Sequence, residues 1–138
     1  MLGITIMASA QKIKKVEFIN PTGVYKGAFP EEIRVKLLGD SKIAIAFLFT
    51  STSVNVASYN VGSDVDTLLY KNNTVTFRTP EMDSTCKIIF TFFKRGVKVQ
   101  HDAANYNWSC GFGQGVIARG FFEKVSSKVP KIKDLAQE

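Results

Sequence analysis

The chain has 138 residues, the size of one domain with a core of its own. Hydrophobic residues make up 45% and charged residues 22%, a balance that excludes a disordered or fibrous chain. One His and two Cys are too few for a zinc site built from those ligands alone, and we expect no metal and no cofactor. The net charge of +6 comes with only four Arg and no aromatic–Arg cluster, so we expect no nucleic-acid partner.

The first ten residues are uncharged and mostly apolar, and they end in an Ala-Ser-Ala triplet at 8–10. Small residues in this spacing are typical of a signal-peptidase cleavage site, although the basic start of a signal peptide is missing. We interpret 1–10 as the remnant of a signal peptide; the alternative is a short apolar first strand. This interpretation predicts an exported protein, periplasmic or extracellular, with one β domain over 11–125 and a basic tail over 126–138.

Alternating apolar and polar residues predict strands along the whole chain. No apolar run approaches the roughly 18 residues of a membrane-spanning helix. The run at 43–49 is apolar on both faces, which indicates a central strand, and Asn72-Asn73 and Lys94-Arg95-Gly96 indicate tight hairpins. The fold class is therefore all-β, a small antiparallel barrel or sandwich of about eight strands. The predicted strands lie near 33–37, 43–49, 54–56, 75–77, 86–93, 97–99 and 114–125.

Two cysteines, Cys86 and Cys110, lie on either side of one predicted hairpin. In an exported protein such a pair favours one disulfide, which in the chain-entropy treatment stabilises a fold of this size by roughly 3 kcal/mol. The alternative is two buried free thiols.

The sequence offers no convincing catalytic set. His101 and Asp102 are neighbours on a predicted strand, so their side chains point to opposite faces. The glycine-rich run 111–115 lacks the Lys-Ser/Thr of a phosphate-binding loop, and we interpret its glycines as turn residues with positive φ. We interpret the remaining candidate acids as solvated: Asp64, Asp66, Glu81 and Asp83.

One loop combines aromatic and amide side chains next to a cysteine. Tyr106, Asn107 and Trp108 precede Cys110, and Phe112 follows it. Aromatic residues on a loop pinned by a disulfide can stack on sugars or anchor a protein partner. We predict Tyr106, Asn107, Trp108 and Phe112 as binding residues; the alternative is a hydrophobic lid packed on the end of the barrel.

The last third of the chain resembles small exported bacterial β-barrel proteins of unassigned function. The resemblance rests on Cys-Gly-Phe-Gly at 110–113 followed by Gly-x-aromatic-x-Lys at 120–124, with a Gly-x-Tyr-x-Gly run at 23–27. In architecture the pattern is also similar to the periplasmic lysozyme inhibitors. Their inhibitory loop motif is not found here, and the basic charge does not suit a basic lysozyme as the target.

These observations predict a non-enzymatic binding or inhibitory module that acts on an envelope or extracellular protein or glycan. The first alternative is a carrier that holds a small apolar ligand inside the barrel, since eight strands can enclose one. The second alternative is a small hydrolase that uses His101 and the loop carboxylates.

Overall fold

The computed structural model describes residues 16–39, 41–51 and 59–137. The predicted signal-peptide remnant at 1–10 and the predicted strand at 54–56 lie outside these residues.

Eight antiparallel strands form one sheet in the order β4-β3-β2-β1-β8-β7-β6-β5. The sheet curls into a nearly closed barrel, so the predicted all-β class is confirmed. The edge strands β4 and β5 follow one another in the chain but are not hydrogen-bonded as a ladder, and this leaves a seam between them. The strands are β1 Gly23–Lys26, β2 Glu32–Leu37, β3 Lys42–Thr50, β4 Val61–Leu69, β5 Thr74–Thr79, β6 Asp83–Phe93, β7 Gly96–Asp102 and β8 Gly120–Ser126.

The two tight hairpins predicted from the sequence are present. Asn72 and Asn73 have φ of 54° and 60°, the left-handed geometry that a two-residue hairpin turn requires and that asparagine tolerates. Lys94 and Arg95 connect β6 directly to β7. Local turn chemistry therefore sets the register of the β6–β7 hairpin and the isolated bridge Lys71–Thr74 that closes the β4–β5 turn.

Aromatic rings fill the interior of the barrel. Phe47 lies at the centre, with ring centroids 5.0 Å from Phe77, 5.1 Å from Phe49 and 5.6 Å from Phe90. All four side chains are at most 1% exposed. Tilted and edge-on contacts of this kind pack rings densely, and the interior is a side-chain core.

The outer face of β3 is covered by the end of the chain. Ala46 and Leu48 point away from the barrel interior yet are buried, because Leu135 and Ile132 pack against them. Ser63 donates a 3.0 Å hydrogen bond to Asp134 on the same segment. The docked C-terminal segment thus explains why β3 is apolar on both faces, although β3 lies next to an edge strand.

The segment that precedes β1 is held at the barrel end where β4 meets β5. The Tyr70 hydroxyl donates to the Ile19 carbonyl at 2.6 Å, and the Asn73 amide donates to the Glu17 carbonyl at 2.8 Å. Burial raises the pKa of Tyr70 to about 12, so this hydroxyl remains a donor at neutral pH. The β4–β5 turn and the segment before β1 are therefore joined by hydrogen bonds.

One predicted strand boundary is wrong, and two strands, β1 and β4, were not predicted. The last strand begins at Gly120, not near 114, because 112–119 packs over the barrel end and forms only an isolated bridge between Val116 and Ser51. Strand β4 was missed because its inward positions include Gly62, Asp64 and Asp66, which share the face of β3 residues such as Phe47. An edge strand beside a seam does not need an apolar inner face.

Candidate functional site

A long connection between β7 and β8, residues 103–119, closes one end of the barrel; we call it the cap loop. Its middle is a short 3-10 turn, Ser109–Gly111. The disulfide Cys86–Cys110 fastens this turn to β6 with a Cα–Cα distance of 5.3 Å, which confirms the predicted pair. Both sulfurs belong to side chains that are at most 2% exposed. The cap loop is therefore pinned at its centre to β6, a strand that is paired on both sides.

Hydrogen bonds fix the two arms of the cap loop to other strands. Ala104 donates its N–H to Thr85 Oγ1 at 3.0 Å on β6, and Gly113 donates its N–H to the Val61 carbonyl at 3.2 Å on β4. The Asn60 amide donates to the Gln114 carbonyl at 2.7 Å. Because these partners lie on both sides of the barrel mouth, the loop backbone is held on a rigid frame.

His101 is the buried centre of the cap. Its Nδ1 accepts the N–H of Ala118 at 2.9 Å, and its Nε2 lies 3.0 Å from Ser109 Oγ. The Tyr106 hydroxyl donates to the His101 carbonyl at 3.0 Å, and the two rings meet edge to face at 5.2 Å. His101 on β7 therefore joins both arms and the central turn of the loop.

This geometry assigns the tautomer of His101. Since Nδ1 accepts a backbone N–H, the neutral ring carries its proton on Nε2 and donates it to Ser109 Oγ. Burial lowers the pKa of His101, with the carboxylates of Asp102 and Asp83 acting against this effect. A ring that donates to a hydroxyl cannot also take the proton of that hydroxyl, so this pair is not arranged as a base and nucleophile.

Three potential metal ligands also meet here. His101 and the sulfurs of Cys86 and Cys110 have ligand atoms within 4.8 Å of one another. A histidine that binds a metal through Nε2 normally donates Nδ1–H to an acceptor, whereas this Nδ1 faces the N–H of Ala118. The sulfurs are also joined to each other. The donor set as it stands does not fit a metal ion.

Trp108 stands out among the predicted binding residues. Its side chain is 63% exposed, and its backbone has φ 65° and ψ 19°, the left-handed region that L residues other than Asn and Asp rarely adopt. Cys110, two residues later, has φ 59°. Two strained residues this close together persist where surrounding bonds hold them, and here the indole ring of Trp108 is turned out to solvent.

The other three predicted residues divide into two groups. Asn107 is exposed, and its backbone N–H donates to the Asn105 side chain at 2.9 Å, while Tyr106 is 38% exposed and braced on His101. Phe112 is only 4% exposed, because its ring fills the space over Gly62 and meets Phe47 at 6.0 Å. Phe112 is thus a plug of the barrel end, as in the alternative lid interpretation, and presents no surface to a partner.

The same barrel end exposes aromatic and sulfur-containing side chains that the sequence analysis did not select. Phe29, in the β1–β2 connection, is 95% exposed, Met82, in the β5–β6 turn, is 74% exposed, and Tyr59, before β4, is 45% exposed. Met82 lies against Gly111 of the cap loop. Phe29 and Tyr59 line one shallow pocket. We call these three side chains and Trp108, which are all exposed at the capped end, the apolar rim. In the sequence, each of these three residues is a single apolar residue within a predicted turn, and no other feature indicated its exposure.

The candidate acids do not form one site. Asp64 and Asp66 lie on β4, where each accepts the N–H of the next residue, at 2.8 Å and 2.7 Å. Glu81 is exposed in the β5–β6 turn. Asp83 reaches the cap loop, where it accepts the N–H of Cys110 at 3.5 Å. It also accepts both the N–H and the hydroxyl of Thr85, and these bonds hold its pKa below the usual value. As predicted, Asp102 points outward from His101.

Comparisons with protein-family models, with curated proteins and with solved structures found no match to this chain. Among the residues that the structure describes, no helix has the length and apolar character needed to cross a membrane.

Proposed function

We propose that this protein is a non-enzymatic binding module that uses the apolar rim of its capped end to hold an envelope or extracellular protein. The observation that carries the proposal is Trp108. Its side chain is 63% exposed, and its backbone is held in a left-handed conformation next to a disulfide. A side chain displayed at a conformational cost, on a loop that cannot relax, has the properties of a preorganised anchor residue.

The composition of the rim favours a protein partner over a glycan. Trp, Phe, Tyr and Met are the residues enriched in protein–protein interfaces, and Phe29, Tyr59, Met82 and Trp108 supply one of each. Glycan sites pair an aromatic face with several fixed polar groups, whereas Phe29 and Met82 offer no hydrogen bond. A protein surface with an apolar pocket for Trp108 is the best complement.

The packed interior supports a surface binder over a carrier. Phe47, Phe49, Phe77 and Phe90 occupy the volume that an enclosed ligand would need. The tautomer of His101 and the separation of the acids likewise give no support to a hydrolase.

Export remains part of the proposal. The disulfide supports it, because structural disulfides persist in oxidising compartments. The resemblance to small exported bacterial barrel proteins, and the architectural similarity to periplasmic lysozyme inhibitors, agree with export. The signal-peptide interpretation of 1–10 also agrees with export.

The test is affinity capture from envelope and secreted fractions, followed by titration of the purified partner. We expect Trp108→Ala to weaken binding by roughly 30-fold or more, as truncation of a Trp anchor does, and Phe29→Ala to weaken it less. Val129→Ala is the matched control, since Val129 is 63% exposed outside the rim. Unchanged affinity of Trp108→Ala, or a partner that proves to be a free glycan on an array, would overturn the proposal.

A further inference from the structure

The barrel end opposite the cap loop carries a second exposed aromatic surface. Phe93, the last residue of β6, is 46% exposed, and Phe121 on β8 is 51% exposed. Their ring centroids lie 6.4 Å apart across the start of β7. A shallow hollow between the rings is completed by Lys94, Arg95 and Lys98. We call these five residues the basic aromatic patch.

The charges of this patch are largely uncompensated. In the part of the chain that the structure describes, neither Arg95 nor Lys98 forms an ion pair. Lys94 lies 3.7 Å from Glu17, but both side chains are 75% exposed, and an ion pair in water is weak. Glu123, exposed on β8 two residues after Phe121, is a second acid near the patch. The patch therefore attracts an anionic partner.

We propose that the basic aromatic patch docks the protein onto an anionic phospholipid bilayer. Two phenyl rings have no polar atom to satisfy, so they can enter the boundary between headgroups and acyl chains. Three cations around them are placed to meet lipid phosphates and carboxylates. Lys94 and Arg95 form the hairpin tip itself, which puts them where a flat surface first touches the barrel.

A bilayer fits this patch better than a single-stranded nucleic acid. Bases stack on open ring faces, whereas Phe93 and Phe121 pair with each other in a tilted arrangement, with 42° between the ring planes. The patch also offers no aromatic residue with a hydrogen-bonding group. Further apolar residues are exposed at the same barrel end, as acyl contact requires: Phe18, Leu69 and Val125.

Docking of this kind would orient the molecule. The turns at 70–73 and 94–95 lie at one barrel end and the cap loop lies at the other, because antiparallel neighbours alternate in direction. A bilayer bound to the basic aromatic patch would leave Trp108 directed away from the membrane. The inference does not depend on the proposed partner of the apolar rim.

Vesicle co-sedimentation tests the proposal. The full protein should bind vesicles of phosphatidylcholine with phosphatidylserine and should bind pure phosphatidylcholine much more weakly, with binding that falls as salt rises. Replacing Arg95 and Lys98 by Gln should reduce binding by roughly tenfold or more. Phe93→Ser with Phe121→Ser should do the same, and Glu123→Gln should increase binding.

Matched variants separate the patch from overall charge. Arg119→Gln with Lys131→Gln lowers the net charge equally at other exposed positions and should bind nearly as the unchanged protein does. Phe29→Ser controls for loss of an exposed ring. Equal losses in these controls and in the patch variants would overturn the proposal. So would tighter binding to a single-stranded oligonucleotide than to the anionic vesicles.

The single tryptophan reports orientation. Brominated lipids in the anionic vesicles should leave Trp108 fluorescence unquenched, because Trp108 lies at the far end. In a Trp108→Phe background, a tryptophan placed by Phe121→Trp should be quenched. Quenching of Trp108 in the unchanged protein would place the wrong end on the membrane and would overturn the proposal.

Discussion

The N–H of Ala118 and Nδ1 of His101 form a 2.9 Å hydrogen bond, although 17 positions separate them in the chain. The bond closes the cap loop from its C-terminal arm, and the Tyr106 hydroxyl closes it from the other. It requires His101 to be neutral, because a protonated Nδ1 would point its hydrogen at another N–H. The order of the cap loop therefore depends on the protonation state of His101.

Stability should fall when the pH drops below the ordinary histidine pKa of 6.5. Burial lowers the pKa of His101 in the folded state, so the unfolded chain binds a proton at a higher pH than the folded chain does. The stabilisation is complete above 6.5 and is lost progressively below it. Urea unfolding from about pH 7.5 to 5 measures the slope.

His101→Asn is the control for this pH dependence. The Asn oxygen can accept the Ala118 N–H near the position of Nδ1 but does not titrate. We expect a lower stability at neutral pH and a flatter profile across the same window. An unchanged slope in this variant would assign the pH dependence to other groups.

Trp108→Asn should separate binding from folding. Asn tolerates the left-handed conformation better than Trp, and the exposed ring contributes little burial. We expect the free energy of unfolding to stay equal or to rise by up to about 1 kcal/mol, while partner affinity is lost. A loss of stability above about 1 kcal/mol, measured by urea unfolding, would indicate a structural lid instead.

Phe112→Ala should be strongly destabilising. The ring is 4% exposed and packs on Gly62 and Phe47, so its removal leaves a cavity under the cap, at a cost of about 3–5 kcal/mol. Phe121→Ala, which removes a ring that is 51% exposed, is the matched control and should cost much less. Equal losses in thermal unfolding would contradict the assignment of Phe112 as a plug.

Asp64 and Asp66 should protect the free edge of β4. Each carboxylate accepts the following N–H, which covers donors that another strand would otherwise seek, and adds charge at an edge. We expect Asp64→Ala with Asp66→Ala to form dimers or aggregates in size-exclusion chromatography. Asp64→Asn with Asp66→Asn keeps the acceptors without the charge and should be intermediate. A fully monomeric double-Ala variant would refute this role.

Local chemistry explains which parts of the fold were predictable. Asn72-Asn73 and Lys94-Arg95 determine their turns by themselves, so the sequence pattern was sufficient. Strand β4 was not predicted because Asp64 and Asp66 interrupt its apolar stripe. These acids are tolerated on the inner face because β4 borders the seam. The false early start of β8 arose because residues around Val116 are apolar in order to plug the barrel end.

The candidate site was predictable only in its sequence-local part. Trp108 was recognised because it neighbours Cys110, and the tight loop holds it outward. Phe29 and Met82 are far from Trp108 in the chain, and only the shared barrel end brings them to one rim. The role of Phe112 depends on Gly62, a close approach that no local pattern reveals.

The seam divides the barrel into two contiguous halves. Strands β1–β4 form one four-stranded meander, β5–β8 form another, and the turn at 70–73 is the only covalent link between them. On the side opposite the seam, the two halves are joined by the antiparallel ladder between β1 and β8. A chain opened between Lys71 and Asn72 would therefore interrupt no ladder between strands. The two resulting fragments, one with β1–β4 and one with β5–β8, would each keep a complete four-stranded meander. The new chain ends would lie beside the basic aromatic patch.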